Sequence, residues 1–438
     1  METLWLILIV VGFVVSMLAG VRVAFGLGSL AILAGYVTWG NSFSYIVLQR
    51  SYSLMTIYIF VAVPLFVFMG ALLSQSGIAE KLYNALYHSL GRLKAGLAIG
   101  TLFICTIMAA MTGIVGASTV TMGLIALPSM LKRGYDKNIA IGSVAAGGSL
   151  GVLIPPSVHM IIIGGVSQLS IAKMFAAGII PGLTLAVMFA LYIIIRCFFQ
   201  PNLAPAIPKN ELKKNKREVA FYLKEAIPVL FLIFATLGTI FLGIATPTEA
   251  AGLGALGTIL ITIAYGRLKL KPLKEACHKT LITTCMIFWI MLGAQMLSSV
   301  LAIMGVLTGI EQFLLGFSEN RWIVLITIQL FLLPIGMFMD QTAIILLFGP
   351  TFFSVIKALG FDPLWFSILF LINLEFSYLT PPFGYTLFYL KGVSPEGITT
   401  NDIYKSIIPF VFLGVIGIAI FMMVPKFITF LPTLLLGK

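Results

Sequence analysis

Gly147-Gly148-Ser149-Leu150-Gly151-Val152-Leu153-Ile154-Pro155-Pro156-Ser157 and, 226 residues later, Asn373-Leu374-Glu375-Phe376-Ser377-Tyr378-Leu379-Thr380-Pro381-Pro382-Phe383-Gly384 place tandem prolines inside two apolar runs. Proline in a helix interior removes a hydrogen bond and clashes with the preceding turn, so each pair marks an unwound segment. Irregular backbone at membrane depth is tolerated only within protein or beside a wet cavity. Two broken helices at corresponding positions of two halves therefore point to a transporter's binding site.

Working outward at the same shift, Gly134-Tyr135-Asp136 meets Gly360-Phe361-Asp362, and Ala24, Gly26, Leu27 and Gly28 meet Ala250, Gly252, Leu253 and Gly254. This argues for an internal repeat. Hydrophobic residues form 60% of the 438 positions and charged residues 10%, which is the composition of an integral membrane protein with no stretch left for a soluble domain. Candidate spans run over 4–20, 23–38, 53–75, 139–168 (broken), 174–199, 226–244, 247–265, 280–303, 364–390 (broken) and 406–424. No basic residue precedes Arg22, so the start does not read as a cleavable signal. The four cysteines are scattered and show no CxxC spacing.

The net charge of +12 would suggest nucleic acid in a soluble protein; here it reads as topology. Lys81, Arg92 and Lys94, and Lys132, Arg133 and Lys137, answer to 307–320 and 358–363, which carry only acidic charge. The basic stretch Arg267, Lys269, Lys271 and Lys274 answers to the uncharged 41–48. Loops that exchange charge between halves are what an inverted-topology repeat requires. An odd number of spans lies on each side of the basic run Lys209, Lys213, Lys214, Lys216 and Arg217, which predicts periplasmic N- and C-termini and a cytoplasmic linker at 200–225.

Segments 95–131 and 321–357 keep this parity if each enters and leaves on one side. They are expected to be re-entrant helical hairpins, with tips at 112–118 and near Met339-Asp340-Gln341-Thr342; two ordinary spans per segment would satisfy the charges equally. Amphipathic stretches at 77–94 and 304–320 read as interfacial arm helices. The expected fold is thus all-α and polytopic.

Free carbonyls and hydroxyls suit a dehydrated hard cation such as Na⁺, and helix N-termini suit an anion. Candidate cation ligands, in two or more sites, are Thr112, Gly113, Gly116 and Ser118 with Gly148, Ser149, Gly151 and Pro155. Their counterparts are Met339, Asp340 and Thr342 with Glu375, Thr380, Pro381 and Gly384. Pro156, Ser157, His159, Gln341 and Pro382 are candidates for the substrate. His159 reads also as a structural histidine, and Asp340, Glu375 and Glu249 also as caps of helix ends. The Gly26/Gly28 and Gly252/Gly254 pairs suggest close helix contacts. No HExxH occurs, and His88, His159 and His278 pair with no nucleophile, so a hydrolase is disfavoured and no catalytic residue is assigned.

The stretches Gly116-Ala117-Ser118 to Ala126-Leu127-Pro128-Ser129-Met130, 147–157, Ala245-Thr246-Pro247-Thr248-Glu249-Ala250-Ala251-Gly252, Met339-Asp340, Leu359-Gly360-Phe361-Asp362-Pro363, Asn373-Leu374-Glu375 and Thr380-Pro381-Pro382-Phe383-Gly384 carry a resemblance. Together they resemble the large membrane subunit of the tripartite ATP-independent periplasmic (TRAP) transporters. Where some members have an acidic residue after the first tip, this chain has Thr119-Val120-Thr121. The resemblance implies an elevator-type, Na⁺-coupled importer of a small organic anion, a carboxylate or sulfonate, in the bacterial inner membrane. It implies a periplasmic substrate-binding protein and a small four-helix membrane subunit, expected here as a separate chain. It also implies scaffold regions 1–76 and 226–303 and moving regions 95–199 and 321–438. A self-sufficient Na⁺- or H⁺-coupled anion transporter of a related inverted-repeat fold is the rival reading.

Overall fold

The computed structural model describes residues 2–208, 216–382 and 384–437. Lys209, Lys213 and Lys214 of the expected linker lie outside the described residues, as do the side chains of Lys216 and Arg217. The described residues are helical, with no strand among them. The first half holds α1 (Glu2–Leu18), α2 (Val23–Trp39), α3 (Phe43–Thr56), α4 (Ala62–Gln75), α5 (Ile78–Leu90), α6 (Gly96–Thr112), α7 (Val115–Lys132), α8 (Lys137–Ser149), α9 (Val158–Ser167) and α10 (Ile171–Phe199). The second holds α11 (Lys216–Phe241), α12 (Pro247–Ala264), α13 (Leu270–Ile303), α14 (Val306–Phe317), α15 (Arg321–Phe338), α16 (Gln341–Ala358), α17 (Pro363–Leu379), α18 (Tyr385–Val393), α19 (Thr400–Met423) and α20 (Lys426–Leu436).

Moved by 226 residues, α7 falls on α16 end to end, and α8 and α17 begin in register. Packing occurs in exchanged pairs. Helix α8 packs on α19 as α17 packs on α10; α9 packs on α16 as α18 packs on α7; α2 packs on α13 as α12 packs on α4. The repeated Gly-aromatic-Asp motif is a folding signal used twice. Gly134 and Gly360 take φ of +77° and +71°, where a side chain would be strained. Asp136 then caps α8 by accepting from the Asn138 N–H at 3.0 Å, and Asp362 caps α17 by accepting from the Leu364 N–H at 2.8 Å.

Among the described residues, nine helical stretches are long and apolar enough to cross a membrane. They carry apolar side chains outward, such as Leu33, Leu260 and Phe412. Large exposed apolar surface of this kind is expected only against lipid or partners. Hairpin arms α7, α15 and α16 meet the length criterion, whereas each broken run divides into shorter helices.

Two expectations need correction. The span at 53–75 is not continuous: α3 runs to Thr56, the chain is extended at Ile57 (ψ 97°), and α4 starts at Ala62. Pro64 accounts for the start of α4, because its ring is tolerated only in the first turn of a helix. The related part of the second half lacks that proline, and α13 is unbroken over 34 residues, beginning well before 280. The glycine pairs also divide. A Cβ at Gly26 would meet Ser16 Oγ at 2.8 Å and one at Gly254 would meet Met69 Sδ at 2.8 Å, but one at Gly28 or Gly252 would meet nothing within 4 Å. The close approach instead involves Gly293, whose added Cβ would lie 3.0 Å from the Gly28 nitrogen. Of the two readings of Glu249, the cap is the one seen: its Oε2 accepts from the Thr246 N–H and hydroxyl, both at 2.8 Å, at the exposed start of α12.

Candidate functional site: two hairpin tips on two broken helices

The first tip forms because Gly113, at φ +62°, ends α6 and Ile114 is extended before α7. This tip rests on the first break. A Cβ at Gly113 would collide with the Pro156 carbonyl oxygen, so only glycine allows the approach. Ser118 Oγ donates to the Gly148 carbonyl at 3.1 Å. Gly148 itself abuts Thr119, and a Cβ on Gly151 would lie 3.3 Å from the Ile114 carbonyl oxygen. Thr112 Oγ1 donates to the Met108 carbonyl at 2.9 Å, holding the end of α6.

The second tip is built from different side chains on the same plan. Asp340 caps α16 by accepting from the Thr342 N–H at 2.9 Å, and its other oxygen accepts the Tyr378 hydroxyl at 2.6 Å. Gln341 donates its side-chain amide to the Leu374 carbonyl at 2.9 Å and its backbone N–H to the Tyr378 oxygen at 3.2 Å. Gly148 and Leu374 are equivalent positions, so each tip is tied to the same carbonyl of its own half. Beyond this break, a Cβ on Gly384 would lie 2.8 Å from the Tyr378 carbonyl oxygen and 3.0 Å from that of Thr380.

Between the two sites Ser149 Oγ donates to Glu375 Oε1 at 3.0 Å, and both residues are buried. Glu375 Oε2, Gln341 Oε1 and His159 Nδ1 are buried atoms with no hydrogen-bond partner among the described residues. The surroundings of both tips are rich in hydroxyl, carboxylate and backbone oxygens, which is the donor chemistry a small hard cation takes.

Three adjoining cavities separate the tips from α13. One of about 600 Å³ is lined by Arg22, Trp289, Asp340, Tyr385, Phe388 and Tyr389. One of about 60 Å³ lies among Gly116, His159, Asp340, Thr342 and Tyr378. One of about 350 Å³ lies among Thr112, Gly116, Ala117, Lys279 and Thr283. Met286 and Tyr389 line all three. Apolar walls with a few convergent polar groups are usual for small-molecule sites.

Of the expected residues, Asp340, Thr342, Thr112, Gly116 and His159 face these cavities. Ser118, Gly148, Ser149, Gly151 and Glu375 lie behind them in the packed interior. Met339 ends α15, and Pro155 and Pro381 lie in the two breaks. Ser157 and Gln341 are buried and spend hydrogen bonds on the Val152 and Leu374 carbonyls. The Pro382 carbonyl accepts the Tyr404 hydroxyl at 3.2 Å, and Pro156 is packed under Gly113. Those last four line none of the three cavities. Sequence reasoning missed Tyr378, Tyr385, Tyr389, Arg22, Lys279 and the Thr283–Met286–Ile290 face of α13. The spacing of 385, 388 and 389 on one helical face was the available signal.

Residues 10–427 match the family described as the DctM component of tripartite ATP-independent periplasmic transporters. The chain belongs to the DctM family. It is 30% identical to the C4-dicarboxylate TRAP transporter large permease DctM of Pseudomonas aeruginosa, covering 86% of each chain. It is 31% identical to the isethionate TRAP transporter permease DctMQ of Oleidesulfovibrio alaskensis, over 92% of this chain and 62% of that longer one. The fold is similar to the YdaH transporter of Alcanivorax borkumensis, with a TM-score of 0.60, 13% identity, and 91% and 96% of the two chains covered. Like its DctM relatives, the protein is a multi-pass inner-membrane transport permease and not an enzyme.

Proposed function

We propose that this DctM chain is the Na⁺-driven membrane engine that imports a small organic anion handed over by a periplasmic binding protein. The observation that carries the reading is the docking of each hairpin tip on the equivalent carbonyl of its own broken helix, Ser118 on Gly148 and Gln341 on Leu374. Such a site is complete only when tip and break are together, so ion binding and tip position are linked. Cation sites draw on Thr112, Gly113, Gly116, Ser118, Gly148, Ser149, Gly151 and Pro155, and on Met339, Asp340, Thr342, Glu375, Thr380, Pro381 and Gly384. The substrate lies in the cavities between them, beside His159. The relatives' names, for C4-dicarboxylates and isethionate, favour a carboxylate or sulfonate.

The exchanged packing supports an inverted-topology repeat with re-entrant hairpins. Regions 95–199 and 321–438 move as an elevator against a scaffold of 1–76 and 226–303, through arms 77–94 and 304–320. Basic loops put residues 200–225 in the cytoplasm and both termini in the periplasm. The fused name of the isethionate relative and the tripartite description support a small membrane subunit beside the binding protein.

The test is uptake in proteoliposomes holding all three components, with Na⁺ replaced by choline at fixed pH. Uptake that disappears supports the reading; unchanged uptake overturns sodium coupling.

A further inference from the structure

Two compartments of unlike size and chemistry meet at the second tip. The small one, of about 60 Å³, brings Gly116, His159, Thr342 and Tyr378 together beside Asp340. His159 Nδ1 has no hydrogen-bond partner among the described residues. Asp340, Met286, Ile290 and Tyr389 also line the large compartment of about 600 Å³, so the two adjoin.

The large compartment is walled by rings. Phe25 of α2 and Trp289 of α13 line one side, with ring centres 6.1 Å apart. Tyr385, Phe388 and Tyr389, spaced to share one face of α18, line the other. Arg22 is the one cation among the described residues that line it, and it stands exposed at the rim. Helix α11, into which the basic linker runs, packs on α5, α10 and α12, none of which lines either compartment. A groove that faced only lipid would not hold Arg22 and Asp340 in its wall.

We propose that the substrate is a monocarboxylate with a ring-bearing apolar body, its carboxylate in the small compartment and its ring in the large one beside Trp289 and Tyr389. The inference rests on the transport reading above and narrows its organic anion to one class. The small compartment has room for one anionic group, to which the His159 ring and the Thr342 hydroxyl offer donors. Sodium held at Asp340 offsets that residue's own charge. A second carboxylate would lie among aromatic rings, and a charge placed there without partner or water is disfavoured. An apolar ring instead gains offset or edge-to-face contact with the same walls. Arg22, solvated at the rim, draws an anion inward without fixing it.

The test is a thermal-shift titration of the purified full chain in nanodiscs with phenylacetate, succinate or propionate, in Na⁺ and with choline in its place. In Na⁺, phenylacetate stabilises the chain at concentrations roughly tenfold below those of succinate and propionate. Trp289 and Tyr389 are both exposed, so replacing them removes no core packing. Trp289→Ala and Tyr389→Ala each raise the phenylacetate concentration required by roughly tenfold, and Trp289→Phe recovers most of the loss. No shift with phenylacetate, equal action of succinate or propionate, or unchanged phenylacetate affinity in both alanine variants overturns the proposal. Phenylacetate that acts selectively but equally well in choline supports the substrate class and overturns sodium coupling instead.

Discussion

Ser149 and Glu375, which occupy equivalent places in the two halves, hydrogen-bond to each other at 3.0 Å. A contact between a position and its own counterpart places the two halves face to face at that point. It also explains why a carboxyl group is buried between two broken helices. Removing Ser149 Oγ leaves Glu375 without its donor, at a cost of about 1–3 kcal/mol. Ser149→Ala is therefore expected to lower the unfolding midpoint in detergent, whereas Glu375→Gln keeps an acceptor and changes it less. In a double-mutant cycle, Ser149→Ala with Glu375→Leu should be less destabilised than the sum of the single changes.

Asp340 serves the fold and the cavity together. It caps α16, accepts the Tyr378 hydroxyl and lines two of the cavities. Asp340→Ala is expected to abolish uptake while insertion and assembly persist. Tyr378→Phe removes one hydrogen bond to the carboxylate, worth about 1.5–3 kcal/mol, and should leave uptake reduced but measurable. Initial rates alongside detergent-stable yield separate loss of transport from loss of fold; parental rates in Asp340→Ala would leave the residue as a cap alone.

Gly148 has no room for a side chain, since an added Cβ collides with Thr119. Gly148→Ala should lift the first tip from its break and weaken Na⁺ dependence, raising the Na⁺ concentration for half-maximal uptake. Ser118→Ala, which loses the hydroxyl that reaches the Gly148 and Val115 carbonyls, should do so to a smaller degree. An unchanged Na⁺ titration in both variants would remove the first tip from the ion site.

Arg22 and Lys279 are exposed cations at the edges of the two larger cavities. Exposed charges steer anions more than they hold them, and salt screens them. Arg22→Ala and Lys279→Ala should each raise KM for the anion by a few-fold at low ionic strength, with little change in maximal rate and little effect in high salt. An effect that persists in high salt would mean direct, desolvated contact instead.

Transport should also need the soluble partner. The described residues form no extramembrane domain. Uptake by this chain and its small membrane partner alone, at full rate, would contradict the tripartite reading.

Sequence by itself determined where the chain bends. Tandem prolines, Gly113, Gly134, Gly360 and the capping Asp136 and Asp362 act through sterics and hydrogen bonds within a few residues, so their effect is legible locally. The 226-residue register then set which helices correspond. Pro64 could have been read the same way, since it confines the start of α4 to its own first turn. Tertiary structure alone decided that Ser149 meets Glu375, that Tyr378 holds Asp340, and that Gln341 is spent on a carbonyl instead of facing the cavity. It also decided that Gly252 faces open space while Gly254 is in contact. Those outcomes depend on the rotation and depth of helices distant in sequence. In an apolar chain nearly every helical face is hydrophobic, so no periodicity distinguishes the side that meets protein from the side that meets lipid.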